Sequence, residues 1–348
     1  MEALIIAGGL GSRLRPLTDR RPKHVLPVAG VPFLGHQLAK LATTGVEHVV
    51  LATSYQAAKF RPVFGDGSAY GLTLTYVREE LPLGTGGAIR YAASALHSGA
   101  DDPVVVLNGD QLSGHDIGAQ VRACVVAAAD VSLHLVEVPD ALSYGCVPTD
   151  DQGRVTAFLE KSPQPVSTQV NAGCYVFRRG CIDDIPAGRV VSVERETFPA
   201  LLEAGRRVIG YPDQSYWRDV GTPMSLVRAS VDLVLGIATS AAYAHPASER
   251  LVQQGADVDH DADVTGGSVV GPGAGVARGA VVNGSVVMPG ARIGPGAVVV
   301  GSVLGSGAKV GSQVVLRGCA VGDDAEVGDR CELGEGTTVP CGALVTAG

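Results

Sequence analysis

The sequence predicts two folds in series: an α/β domain built around a mostly parallel sheet, then a left-handed parallel β-helix. Three observations carry this. Short apolar runs alternate with helix-length segments through the first two thirds of the 348 residues, the rhythm of a sheet covered by helices on both faces. Almost all aromatic residues precede Tyr243, while the stretch after about Asp257 is nearly pure Gly, Val and Ala with scattered charges, so two kinds of core are implied. From Val264 to Val345 an aliphatic residue recurs about every six positions, and repeats of this kind decide architecture.

In chain order, strands are expected over 3–7, 48–52, 72–76, 103–107 and 131–138, and helices over 32–44, 86–96 and 117–128. Later apolar runs at 155–159, 172–177 and 207–211 extend the sheet or form a subdomain, and helices are expected over 193–203 and 223–237. Residues 1–237 then make one domain. The alanine-rich stretch that follows has no strong periodicity and reads as a linker, 238–257, ahead of a β-helix over 258–348.

The hexads suit a coil of three short strands, with the aliphatic side chain inward and small residues at the corners. Steps of five replace steps of six at Val282 to Val287, Val299 to Leu304 and Leu316 to Val321, each following the last by 17 residues. A coil with this step therefore has one shortened side, and it is always the same side.

Composition excludes several classes. A formal charge of -8 without any Lys/Arg cluster argues against a general nucleic-acid binder, although a few placed cations can still hold a small phosphorylated ligand. Seven widely spaced cysteines with no C-x-x-C pair suggest reduced thiols and a cytoplasmic protein. The chain opens directly into a strand-like run, and no apolar stretch reaches membrane-spanning length, so no membrane partner is expected.

The chemistry-bearing motifs begin at the end of the first strand, in Ala7-Gly8-Gly9-Leu10-Gly11-Ser12-Arg13-Leu14-Arg15-Pro16-Leu17-Thr18, followed by Pro22-Lys23. A Gly-rich turn lets backbone N–H groups approach phosphates, and cations neutralise them. Arg13 would clamp a triphosphate through its planar fork, and Lys23 would place a point charge near the reacting phosphorus. With these residues the chain resembles the sugar nucleotidyltransferases, in particular mannose-1-phosphate guanylyltransferases with a C-terminal hexapeptide-repeat domain. The signature G-G-x-G-T-R-L-x-P-L-T with a later P-K is matched nearly in full, Ser12 standing where Thr is usual. The resemblance implies a Rossmann-like domain with a mixed, mostly parallel sheet. It also implies a magnesium-dependent reaction joining a sugar-1-phosphate to GTP, with release of pyrophosphate.

Later motifs follow in the family's order. In Glu79-Glu80-Leu81-Pro82-Leu83-Gly84-Thr85-Gly86-Gly87-Ala88, glycines at a helix start can lie against a base. One ionised Glu can accept both the N1–H and the 2-amino donors of guanine. Glu79 is the first candidate for that role and Glu80 the second. Leu107-Asn108-Gly109-Asp110 delivers an acid at the carboxyl end of a strand, where open α/β sheets bind ligands. Asp110 would hold magnesium. Asp219, in Tyr216-Trp217-Arg218-Asp219-Val220-Gly221, is the partner acid that the resemblance implies, and a carboxylate pair suits magnesium. The nucleotide-binding set is thus Ala7, Gly8, Gly9, Gly11, Ser12, Arg13, Lys23, Glu79, Glu80, Gly84, Thr85, Gly86 and Asn108.

For the acceptor, the resemblance points to Tyr144, Gly145, Glu160, Lys161, Asn171, Gly173 and Trp217, together with Gln111 beside the acid. Lys161 would bind the acceptor's phosphate, making Arg13, Lys23, Asp110 and Lys161 the catalytic set. Two residues depart from the family pattern: His24 where Pro is general, and Gln111 where a small apolar residue is common. They leave open a sugar-like cyclitol phosphate, such as valienol-1-phosphate of pseudosugar antibiotic pathways, as acceptor. Adenylyl, uridylyl or thymidylyl transfer and a non-catalytic regulatory homologue are further readings. An acyltransferase would need a His in or beside the coils, and no His follows His260. Ser192 with Glu194 reads as a helix N-cap, His36, His97 and His134 as surface or core residues, and the cysteines as non-catalytic. A β-helix offers faces for assembly, so a homo-oligomer is expected.

Overall fold

The computed structural model describes every residue except 140, 143, 161–165 and 348, and of Glu160 the backbone alone. The chain forms two compact units, Met1–Gly9 with Gln37–Trp217 and Leu10–His36 with Arg218–Gly348. Thus the division does not fall at a single linker: the segment 10–36, with its Gly11 to Lys23 motif, is grouped with the C-terminal coils.

In the first unit, β1 (Glu2–Ala7) is flanked by β2 (His48–Thr53), which in turn pairs with β3 (Thr73–Arg78), and on its other side by β4 (Pro103–Asn108), all parallel. Beyond a short strand β5 (Gln111–Ser113) come β6 (Val131–Glu137), β7 (Gly145–Cys146), β8 (Leu159–Glu160), β9 (Gln169–Arg178) and β10 (Val208–Pro212). β9 runs antiparallel to β4, β6 and β7, and β10 parallel to β6, giving the mixed, mostly parallel sheet. Strands β1, β2 and β4 are unbroken apolar runs because both of their faces are covered; Leu4, Val50, Val104 and Val106 are fully buried in one core cluster with Tyr175, Phe177 and Phe198. The longer helices are α1 (Phe33–Ala42), α2 (Gly84–Ala92), α3 (Ile117–Val126) and α4 (Phe198–Glu203).

Two expected elements are altered. The run 155–159 yields a strand only at Leu159–Glu160, Val155 forming an isolated bridge to Thr149. The helix expected over 193–203 starts as a π-turn, Val193–Thr197, before α4. Pro199 has no N–H to return to the turn before it, so the tighter ladder cannot begin there. Ser192 does cap this segment, accepting from Arg195 N–H at 3.2 Å.

Glu2 ties the start of β1 to its neighbours. Its carboxylate accepts from His48 Nδ1 at 2.6 Å, from the backbone N–H groups of His97 and Ser98, and from the Ser98 hydroxyl. His97, widely separated from the other two in sequence, thus joins Glu2 and His48. Burial pushes the Glu2 carboxyl up, but the hydrogen bonds from Ser98, His48 and the two backbone groups outweigh it and hold the group down at about 2.

In the second unit, α5 (Pro223–Val234) begins with a capping box between Thr222 and Ser225, and the coils form three parallel sheets. Val270, Val287, Leu304 and Val321 stack on one sheet and Val282, Val299 and Leu316 on another. All seven are fully buried, each contributing about 1.5–3 kcal/mol. The five-residue step always joins the same two sheets, as the spacing requires. At the corner between these two sheets Ser268, Ser285 and Ser302 form a ladder, each hydroxyl accepting the N–H of the residue 17 positions on, the last being Cys319. The expected linker is a correction: Arg250–Val252 and Asp257–Val258 are already the first rungs. The six-residue step in fact runs back through Val258 to Val252, but polar Gln253 and Gln254 replace the usual small corner residues. Among the described residues no helix is long and apolar enough to cross a membrane, and the seven cysteines are unpaired.

Because the Glu2 carboxyl lies below its ordinary 4.5 in the folded state, the stabilisation it brings is complete above pH 4.5 and is lost as the pH falls towards 2. Urea unfolding of wild type and Glu2→Gln should show a stability gap at pH 7 that narrows steadily between pH 4.5 and the acid limit; a gap independent of pH would contradict this.

Candidate active site

The register of β1 against β4 lays out the part of the site in the first unit. Ile6 lies opposite Asn108, and Gly109 N–H donates to the Ile6 carbonyl at 3.0 Å. Ala7-Gly8-Gly9 and Asn108-Gly109-Asp110 therefore leave the sheet side by side at its carboxyl edge. β2 and β3 end at the same edge, followed by Ser54 and Glu79. A Cβ on Gly8 would lie 3.2 Å from Ser54 Cβ and 3.6 Å from Glu79 Oε1, so glycine keeps this edge open.

The two candidate glutamates separate here. Glu80 is exposed, whereas Glu79 is only 5% exposed. Its Oε2 accepts from Leu83 N–H at 3.0 Å, and Oε1 is buried with no partner among the described residues. Burial raises the Glu79 carboxyl above its ordinary value, against the opposing pull of the Leu83 N–H. The glycines that follow answer to the protein's own packing. A Cβ on Gly84 would meet the Val191 carbonyl at 2.5 Å, and one on Gly86 would meet Val191 Cγ1 at 2.9 Å. Thr85 is a strut, donating to Glu194 Oε2 and accepting from Val193 N–H, both at 2.8 Å.

The acceptor candidates converge on β9. Gly173 sits in a bulge between Asn171 and Tyr175, at φ +76°. A Cβ there would fall 2.9 Å from Gln111 Cγ and 3.1 Å from Asn108 Cβ. The Asn171 side chain holds the bulge: Oδ1 accepts Gly173 N–H at 3.0 Å, and Nδ2 donates to the Tyr175 hydroxyl at 2.8 Å. Gln111 Nε2 donates to Asp110 Oδ1 at 3.1 Å. The oxygens Asn108 Oδ1 and Gln111 Oε1 are buried without partners among the described residues. Trp217 Nε1 donates to the Ala172 carbonyl at 2.9 Å and meets Tyr144 edge-on, with ring centres 5.6 Å apart. Gly145 lies opposite Glu160 in the β7–β8 pair. Lys161 lies outside the described residues.

The second unit holds Gly11, Ser12, Arg13, Lys23 and Asp219. Gly11 takes φ +62°, and its carbonyl accepts the Thr18 hydroxyl at 2.8 Å, closing the loop. Exposed Arg13 faces Asp219 at 3.8 Å, and a Cβ on Gly221 would strike its guanidinium at 2.8 Å. Lys23 starts a 3-10 turn, Lys23–Val25, while His24 is fully buried.

Sequence reasoning passed over what fastens this loop. Arg21 pairs with Asp323 and donates to Ser306 Oγ at 3.2 Å, Arg20 pairs with Asp324, and Cys341 Sγ donates to the Pro16 carbonyl at 3.4 Å. Ser306, Asp323 and Cys341 occupy equivalent corners of successive coils. The signal was present in the repeat, since Asp324 stands where the other corners have Gly273, Gly290, Gly307 and Gly342. It adopts the same left-handed backbone, φ +56°, a conformation unfavourable for a side-chain-bearing residue.

Residues 2–234 match the family described as Nucleotidyl transferase, and residues 247–346 match the GMPPB C-terminal domain. The chain is 53% identical over 280 residues to the mannose-1-phosphate guanylyltransferase of Mycobacterium tuberculosis, covering 80% of this chain and 77% of that protein. It is 31% identical over 285 residues to mannose-1-phosphate guanylyltransferase 1 of Arabidopsis thaliana, covering 81% and 78%. Among solved structures, HddC from Yersinia pseudotuberculosis superposes with a TM-score of 0.58 at 27% identity, covering 66% of this chain and 97% of HddC. HddC complexed with GMP-PN gives 0.57 at the same identity and coverage. The chain belongs to the nucleotidyltransferase family.

Gly173→Ala tests the tight contact at the bulge, because it forces a side chain into a left-handed position against Gln111 and Asn108. We expect kcat/KM to fall about tenfold or more while the protein stays folded; steady-state kinetics within about twofold of wild type would contradict the geometry.

Proposed function

We propose that this enzyme joins mannose-1-phosphate to GTP, giving GDP-mannose and pyrophosphate. The observation that carries the proposal is the 53% identity to the Mycobacterium tuberculosis guanylyltransferase across most of both chains. That relative favours mannose-1-phosphate over the cyclitol phosphate that His24 and Gln111 left open, and His24 is fully buried. Retention of Arg13, Lys23, Asp110 and Asp219 speaks against a non-catalytic homologue.

For the base, the unmet Oε1 of buried Glu79 supports guanine, whose N1–H and 2-amino group are adjacent donors, a pair that adenine lacks. HddC, a structural neighbour, is complexed with GMP-PN. Glu79 is thus preferred to exposed Glu80.

The acceptor's phosphate oxygen is ionised near neutral pH, so it attacks the α-phosphorus in line without a general base, and pyrophosphate departs. The chain's task is positioning and charge neutralisation: the Gly8–Gly11 turn and Arg13 hold the triphosphate, Lys23 acts near the reacting phosphorus, and Lys161 binds the acceptor's phosphate. Asn108 and Gln111, with free acceptor oxygens, and the Tyr144, Gly145, Glu160, Asn171, Gly173 and Trp217 region receive the sugar. Asp110 and Asp219 supply the hard carboxylate oxygens that suit magnesium, Asp110 being oriented by Gln111 Nε2. Held by these two acids, magnesium would supply positive charge against the phosphate oxygens. The unpaired cysteines support a cytoplasmic enzyme, and Leu344, exposed on the last rung, offers a surface for homo-oligomer formation.

A pyrophosphate-release assay crossing four nucleoside triphosphates with mannose-, glucose- and valienol-1-phosphate should show GTP with mannose-1-phosphate turning over fastest. Asp110→Ala or Lys23→Ala should lower kcat about a hundredfold or more with the fold intact. Preference for another base or acceptor overturns that part of the assignment, and near-normal activity of either variant overturns the mechanism.

A further inference from the structure

The turn that carries Asp110 is held from behind by α1. Gln37 is buried at 5% exposure, and its Nε2 donates to two backbone carbonyls, Asn108 at 2.9 Å and Gln111 at 3.0 Å. These carbonyls flank Asp110, two residues before it and one after. One planar amide therefore closes the turn, fixing the direction in which the Asp110 carboxylate leaves the backbone. One helical turn further on, on the same face, Lys40 Nζ donates to the Ser113 carbonyl at 2.7 Å and contacts His115 Nδ1 at 3.1 Å. His115 meets Gln120 Oε1 at 3.1 Å, and Gln120 Nε2 donates to the Ser132 carbonyl at 3.2 Å, anchoring the brace to β6.

We propose that Gln37 is a positioning residue for the transfer reaction, setting the Asp110 carboxylate for its metal through the Asn108 and Gln111 carbonyls, with Lys40 extending the brace to Ser113. The proposal rests on the assignment of Asp110 as a metal ligand. Gln111 is doubly involved: its carbonyl is held by Gln37 while its amide donates to Asp110 Oδ1. Releasing the carbonyl therefore loosens both the acid's own backbone and the group that orients its carboxylate. Gln37→Met keeps the length of the side chain and removes both donors, leaving two carbonyls unsatisfied.

The test compares wild type, Gln37→Met, Lys40→Met and Asp110→Asn. It measures kcat and KM for GTP, manganese affinity by electron paramagnetic resonance with a non-reacting GTP analogue, and Tm. Gln37→Met should lower kcat and weaken manganese binding each by about tenfold, with the KM for GTP changed less than about twofold; Lys40→Met should act in the same direction by about threefold. A Gln37→Met protein with lowered Tm but unchanged kcat and manganese affinity overturns the proposal and leaves Gln37 a purely structural residue. If Gln37→Met does not fold, an unchanged Lys40→Met enzyme overturns it instead. Asp110→Asn that keeps its manganese affinity overturns the metal assignment and the brace with it, whereas loss of manganese by Asp110→Asn beside an unaffected Gln37→Met overturns the brace alone.

Discussion

One backbone hydrogen bond, from Gly109 N–H to the Ile6 carbonyl, carries the β1–β4 ladder a step past the end of β4, and the chemistry of the first unit is laid out from it. It brings the Gly8–Gly9 turn next to Asp110 at the carboxyl edge. A slip of one residue would move the acid by about 3.3 Å and turn it to the opposite face. The buried, two-sided apolar character of β1, β2 and β4 fixes that register against slippage. Glu2 at the far end of β1 adds a polar tie that only one alignment satisfies.

In the second unit the β-helix has a more specific relation to the chemistry than a general assembly module would. Its corners carry Ser306, Asp323, Asp324 and Cys341, and these hold the stretch between Arg13 and Lys23. The two ion pairs are unequal. The Arg20–Asp324 pair is exposed at both ends, and such pairs are worth about 0–1 kcal/mol. Asp323 is 3% exposed and also accepts Ser306 N–H at 2.8 Å, so removing Arg21 would leave a buried carboxylate short of its charge partner. Arg21–Asp323 is therefore the contact that matters of the two.

Much of this was legible in the sequence for physical reasons. Apolar runs with both faces covered announce parallel strands, and a five-residue step recurring every 17 positions announces one short side of a coil, which is where the serine ladder lies. Asp110 and the Gly8 turn were placed at one edge because the apolar runs before them read as parallel strands that end together, which their register shows. What stayed hidden depends on long-range contact. Nothing local distinguishes Gln37 or Lys40 from any polar residue on a helix, and nothing local places Val191 against Gly84 and Gly86. Its place three residues before Pro82 already ranks Glu79 ahead of Glu80, and burial, which the sequence does not show, separates the two. The coil's first rungs were missed because polar Gln253 and Gln254 interrupt the small-residue corners, although Val252 and Val258 keep the step.

The central claim is a single in-line displacement at the α-phosphorus, with positioning and charge in place of an enzyme nucleophile. The most direct measurement is the stereochemistry of transfer, using one diastereomer of GTP bearing sulfur on the α-phosphorus, mannose-1-phosphate as acceptor, and phosphorus NMR of the product. A GDP-mannose analogue formed with inversion at that phosphorus is the expected product. Retention, which requires a covalent nucleotidyl-enzyme intermediate, or no transfer to mannose-1-phosphate at all, would contradict it.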